Sequence, residues 1–168
     1  MRYSQIRRLD ISNGEGVGVA LFTQGCHFHC KNCFNESTWD FNGGKEFTKE
    51  VEYYFYRLVD RPHIDRVTIL GGEPLADENL ETIDRLVANI NKKIWVYTGN
   101  TFETLISSDK YKSILNNIDV LVDGRYVDEL RDLNLKFRGS SNQRIIDVKK
   151  SLKADAVVSV QFNWFCYD

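Results

Sequence analysis

Three cysteines, Cys26, Cys30 and Cys33, fall within eight residues of the segment GCHFHCKNCFN, in a Cys-x3-Cys-x2-Cys spacing. Thiolates this close on one loop can surround a compact inorganic core and ligate three of its metal corners. Iron–sulfur clusters usually take four cysteine ligands. Three leave one iron without a protein donor, much as a catalytic metal site keeps a position open. A structural zinc is the alternative, held by the same cysteines and a fourth donor from His27, His29 or Cys166. Zinc sites usually come as two spaced ligand pairs, and the sequence offers no second pair. A third reading is metal-free redox chemistry at Cys30-Lys31-Asn32-Cys33. Cys166, the fourth cysteine, stands alone and reads as an ordinary free thiol in a C-terminal strand or tail. A disulfide framework is not indicated, because bridges gain most by closing long loops, and the crowding points to a reducing compartment.

Such a loop needs a scaffold, and the hydrophobic pattern supplies one. Residues 16–22 predict a first strand, which stops at Thr23-Gln24-Gly25 immediately before the cysteines. Thr48 caps a predicted helix carrying Val51, Phe55, Leu58 and Val59 on one face, ending before Pro62. Residues 66–70 form a short β-rich run that stops at Gly71-Gly72, and Asp77 is the expected cap of a second helix bearing Leu80, Ile83, Leu86, Val87 and Ile90. Residues 94–97 predict another strand, halted at Thr98-Gly99-Asn100. A weaker helical stretch follows over 102–115, then a strand at 120–122 closed by Asp123-Gly124. Beyond Arg125 the pattern loosens, with further strands expected at 144–148 and 156–162.

Strand–helix alternation of this kind predicts an α/β fold with a parallel sheet flanked by helices. In such folds the carboxyl ends of the strands gather on one edge, where ligands bind. The cysteine loop, Gly71-Gly72-Glu73-Pro74, Thr98-Gly99 and Asp123-Gly124 each follow a predicted strand, so all four are expected to face one site.

Composition bounds the rest. The chain has 168 residues, 42% apolar and 27% charged, with a formal charge of −2, which suits one globular domain over residues 1–168. Near-neutral charge gives no electrostatic footprint for nucleic acid or an anionic membrane. The longest strongly apolar stretch is far short of the roughly 18 residues that a membrane span needs. MRYSQIRRLD has basic residues without an apolar run behind them, so a cytoplasmic protein without a secretory signal is expected.

A Cys-x3-Cys-x2-Cys loop after a first strand, with GGEP (Gly71 to Pro74) after the next helix-linked one, resembles the radical S-adenosylmethionine superfamily. Phe34-Asn35, DVLVDGRY over 119–126 and FRGSSNQR over 137–144 are similar, more narrowly, to the glycyl-radical activating enzymes of anaerobic ribonucleoside-triphosphate reductase, over roughly residues 14–147. The resemblance implies a partial (β/α) barrel, shorter than the ~250 residues of a complete eight-unit barrel. It further implies one 4Fe–4S cluster on Cys26, Cys30 and Cys33, with S-adenosylmethionine (SAM) chelating the fourth iron. Gly71, Gly72 and Glu73 would hold the methionyl amino group, and Asn32 and Phe34 would lie beside the nucleoside. Thr98 and Asp123 are candidates for the carboxylate region or a nearby cation, and Arg138 for SAM or the partner. The implied partners are the large subunit of the reductase and a flavodoxin- or ferredoxin-type electron donor, with a homodimer compatible. Rival functions are activation of another glycyl-radical enzyme such as pyruvate formate-lyase, a small-molecule radical SAM enzyme, or a zinc-stabilised binding module.

Overall fold

A computed structural model describes residues 1–162 of the chain. Its centre is a run of four parallel strands, β2 (Gly18–Thr23), β4 (Arg66–Gly71), β5 (Lys93–Tyr97) and β6 (Val120–Asp123). Antiparallel strands flank it, giving a seven-stranded sheet in the order β3-β1-β2-β4-β5-β6-β7, where β1 is Arg2–Asp10, β3 Lys45–Glu46 and β7 Arg144–Asp147. Three helical crossovers join the parallel strands in sequence. They contain α1 (Lys49–Val59), α2 (Asp77–Ala88), and the pair α3 (Phe102–Ile106) and α4 (Lys112–Asn117), and α5 (Val148–Ala154) follows β7. The expected α/β alternation is therefore present, as a mixed sheet rather than a wholly parallel one.

The two faces of the sheet differ, as the two-residue period of a strand requires. Val19, Leu21, Val67, Ile69, Ile94, Val96 and Leu121 point to one side, where the apolar stripes of the helices cover them in the main core. The alternate residues, Ala20 and Phe22, Leu70, Trp95, Val120 and Val122, point to the other and form two smaller clusters with Tyr97 between them. Among the described residues this second face has no helix layer, and it floors the site described below. Burial of both faces explains why β2 and β4 read as unbroken apolar runs.

At the amino-terminal ends of the strands, this second face is stoppered by a buried polar knot. The Arg66 guanidinium, wholly excluded from solvent, donates to the Asp10 carboxylate at 2.9 Å, to the Asp10 carbonyl at 3.0 Å and to the Glu15 carbonyl at 3.0 Å. A Cβ on Gly18 would lie 2.3 Å from Arg66 Nη1, so the arginine fits only because that strand begins with glycine.

Several local expectations change. Strand β1 is absent from the sequence reading because RYSQIRRLD lacks a clean alternation. It is an edge-side strand with register shifts between Tyr3 and Gln5 and between Arg7 and Asp10, and most of its side chains are half-buried or exposed. Thr48 does cap α1, its hydroxyl accepting from the Val51 amide. Asp77 is instead the first helical residue of α2, with Ala76 at the cap position and no side-chain cap. The stretch 102–115 is broken into α3, a 3-10 turn at Asp109–Tyr111 and α4. Val148 opens a helix instead of ending a strand, because Asp147 caps it by accepting from the Lys150 amide. Residues 156–162 give only an isolated bridge, Ser159 to Ile146. The reading of Cys166 falls outside the described residues.

Candidate metal centre

The cysteine loop leaves β2 through Gly25, whose φ of 95° and contact with Phe41 exclude a side chain: a Cβ would sit 2.1 Å from the Phe41 ring. The loop is then sewn to the segment that follows it. Gly25 N donates to the Thr38 carbonyl at 2.8 Å and Cys26 N to the Trp39 carbonyl at 3.0 Å. Two left-handed residues, His29 (φ 46°) and Asn32 (φ 55°), turn the chain between successive cysteines, and Cys33 N closes the second turn on the Cys30 carbonyl at 3.1 Å. Cys26 is buried, and Cys30 and Cys33 are half-buried.

All three thiols line one cavity of about 380 Å³. Amide donors converge on the sulfurs: Phe28 and His29 offer N–H groups to Cys26, Tyr126 offers one to Cys30, and Asn35 N reaches Cys33 Sγ at 3.4 Å. Burial pushes the Cys26 thiol up, and burial with the neighbouring Cys33 pushes Cys30 up. A thiolate here therefore needs a positive partner, and amide donors together with metal are how proteins hold cluster sulfurs. Among the described residues, Cys26, Cys30 and Cys33 are the three sulfur donors that line the cavity, and a tetrahedral zinc would need a fourth protein donor beside them. His27 and His29 are occupied elsewhere. His27 meets Glu78 at 3.0 Å and packs on Phe41, and His29 packs edge-on against Trp39. The donor set thus fits a larger inorganic core held at three corners.

The ends of β4 and β5 supply the next wall. Gly72 packs so tightly on the cysteine loop that a Cβ would lie 2.3 Å from the Gly25 carbonyl oxygen. Its amide donates to the Thr23 carbonyl at 3.0 Å, and the Glu73 amide donates to the Gly25 carbonyl at 2.7 Å. The Glu73 carboxylate, 3% exposed, accepts from Leu75 N at 2.9 Å, Thr98 Oγ1 at 2.8 Å and Gly99 N at 2.8 Å. Burial raises its pKa while these donors oppose the rise. Glu73 therefore ties two strand ends together as well as bordering the cavity.

Of the residues singled out from sequence, Cys26, Cys30, Cys33, Phe34, Gly71, Gly72, Glu73 and Thr98 all border the cavity, and Arg138 does too. Asn32 and Asp123 do not. Asn32 is exposed, and its side-chain amide donates to Asp128 at 2.6 Å. Asp123 is buried, accepts from the Phe102 amide at the start of α3 at 2.8 Å, and pairs with Arg144. It serves the β6–β7 edge. Tyr97 belongs to an expected strand and carries no site signal in the sequence, yet it lines the cavity and its hydroxyl donates to the Phe137 carbonyl at 2.8 Å. Phe28, Arg125, Tyr126 and Gln143 were also unassigned. The DGRY and RGSSNQR segments carried the signal for the last three, and those segments brace each other through Gln143, which accepts from Gly139 N at 2.9 Å and donates to the Gly124 carbonyl at 3.0 Å.

Comparison with known proteins adds an independent line. The sequence model of the 4Fe-4S single cluster domain family matches residues 12–146. A Salmonella typhi protein is 41% identical over 150 residues, covering 85% of this chain and 96% of its own length. An Escherichia coli (strain K12) protein is 39% identical over the same shares of the two chains, and one from Enterobacteria phage T4 is 36% identical, covering 86% of this chain and 93% of its own. All three carry the name anaerobic ribonucleoside-triphosphate reductase-activating protein.

Proposed function

Because the chain belongs to the family of anaerobic ribonucleoside-triphosphate reductase-activating proteins, we propose that it is a radical SAM activase that generates a glycyl radical on that reductase. The observation that carries this reading is the convergence of three cysteines and the glycine-lined ends of β4 and β5 on one cavity. When bound, a 4Fe–4S cluster and SAM supply the one-electron cleavage of the sulfonium whose 5′-deoxyadenosyl radical removes hydrogen from a backbone glycine. Cofactor chemistry of this kind leaves the protein to bind, orient and exclude side reactions.

The chain's own residues divide that work. Cys26, Cys30 and Cys33 hold the cluster, with amide donors from the loop and from Tyr126 stabilising the thiolates. Gly71 and Gly72 let backbone groups approach the methionyl end of the ligand closely, and Glu73 with Thr98 fixes that wall. Phe34 offers an apolar ring, 56% exposed, for the nucleoside end, next to Tyr126 at 5.2 Å between ring centroids. Homolytic cleavage of SAM needs no general acid or base, and among the described residues the cavity wall carries one carboxylate, Glu73.

The sheet face that carries no helices among the described residues, with its four parallel strands, supports a partial (β/α) barrel in a single domain spanning the chain. A flavodoxin- or ferredoxin-type donor, a cytoplasmic setting and a homodimer complete the proposal; no helix among the described residues is long and apolar enough to cross a membrane. Anaerobic reconstitution with iron and sulfide, reduction in the presence of SAM, and assay for 5′-deoxyadenosine tests the reaction. Paramagnetic resonance on mixtures with the reductase and with pyruvate formate-lyase tests the target. A glycyl radical on the reductase is the expected result, and no nucleoside product would reject the reading.

A further inference from the structure

The segment between β6 and β7, residues 124–143, packs on the turn between Cys30 and Cys33 through contacts of unequal worth. Lys31 and Glu129 meet at 3.4 Å, but both are largely exposed, and such pairs contribute little. Arg131 lies over the Phe34 ring, 5.1 Å from its centroid. Asp128 is different in kind, because each of its oxygens holds a different partner. Oδ2 accepts from Asn32 Nδ2 at 2.6 Å, and Oδ1 accepts from the Tyr126 hydroxyl at 2.9 Å.

Both partners lead directly to cluster ligands. Asn32 immediately precedes Cys33 and sits in the left-handed region, which asparagine tolerates better than most residues. Tyr126 presents its backbone N–H to the Cys30 sulfur and its ring to Phe34. We propose that Asp128 is a positioning residue for the cluster loop: one carboxylate clasps the turn between Cys30 and Cys33 to the strand-end segment whose amide faces Cys30. The two hydrogen bonds also hold its carboxyl below the usual carboxylate range, Asn32 being the larger cause and Tyr126 the next. The assignment rests on the reading of the three cysteines as cluster ligands, and it gives Asn32 a role distinct from nucleoside contact.

Hydrogen–deuterium exchange on the metal-free protein tests the clasp without any cofactor. Asp128→Ala is expected to speed exchange of the amides at 30–34 and 126 severalfold, the solvent around the exposed Asn32 contact reducing the worth of its charged acceptor. Asn32→Ala reproduces the effect, and Glu129→Ala leaves it unchanged. In reconstituted protein, Asp128→Ala moves the cluster's midpoint potential more negative, because a donor to a ligand sulfur is loosened. Asp128→Asn, which keeps one acceptor oxygen, falls between. Should Asp128→Ala fail to fold, Asn32→Ala and Tyr126→Phe carry the same comparison. Wild-type exchange rates in these variants would overturn the clasp. Failure of the wild-type chain to take up iron and sulfide would overturn the cluster reading instead, and the metal-free measurement keeps the two apart.

Discussion

A carboxylate sealed from water and gripped by three donors is fixed more firmly than any surface charge, and Glu73 is such a group. Replacing it with alanine leaves the Leu75 amide, the Thr98 hydroxyl and the Gly99 amide without their acceptor in a buried site. At about 1–3 kcal/mol for each unsatisfied group, partly relieved by water from the cavity, a loss of about 3 kcal/mol is expected. Urea unfolding of the metal-free Glu73→Ala variant measures it. The cysteines are expected to behave oppositely, their removal costing the proposed activity more than stability. Cys26→Ala, Cys30→Ala or Cys33→Ala is expected to abolish 5′-deoxyadenosine formation and to reduce bound iron and sulfide, whereas Cys166→Ala retains both. Full product yield in any of the first three would reject the ligand assignment. These residues were legible because thiols in a tight spacing have few other uses. Asn32 and Asp123 lie off the cavity for a physical reason: a short polar side chain near a site serves equally well to tie one loop to another, and hydrogen-bond partners from distant sequence decide which.

At the scale of elements, the central strands were readable and the flanking ones were not. Strands β2, β4, β5 and β6 are buried runs bounded by glycine or polar turns, so their sequences announce them. Strand β1 borders solvent along most of its outer side, and polar residues with register shifts there erase the alternation that would have identified it. Helix α5 lies between the two strands expected at 144–148 and 156–162, and only Val148 belongs to both readings; the helix has few apolar residues and its start depends on one capping side chain, Asp147. Capping also gives a direct measurement. Thr48→Ala removes the side-chain acceptor at the start of α1 and is expected to lower stability by about 1 kcal/mol, seen as a shift in urea midpoint without a change in slope. A larger loss is expected from Arg66→Met, which leaves the buried Asp10 carboxylate with only the more distant, half-exposed Arg7 at 3.7 Å as a cation. Breaking one side of such a pair costs about 3–5 kcal/mol.

Across the whole molecule, the far edge of the sheet contributes to the acid response. Arg144 joins Asp123 to Glu103, and hydrogen bonding to that guanidinium pulls the Glu103 pKa down from 4.5 to about 2. A depressed folded-state pKa contributes stability that is complete above about 4.5 and fades as pH falls toward 2. Stability is therefore expected to decline through that window, and Glu103→Gln to flatten part of the decline in urea midpoints recorded against pH. The effect is modest, since Glu103 is largely open to water and salt screens it. The ends of β2, β4 and β5 follow another logic, because hydrogen bonding does not stop where β2 and β4 end. Gly72 and Glu73 bond back to Thr23 and Gly25, Gly25 and Cys26 bond onward to Thr38 and Trp39, and Gly99 bonds to Glu73. Residues 24–39, 72–75 and 98–99 form one textile rather than three ribbons. A chimera that received the cysteine segment alone from a distant relative would arrive with its seams cut. Only a graft carrying all three pieces together transplants the chemistry intact.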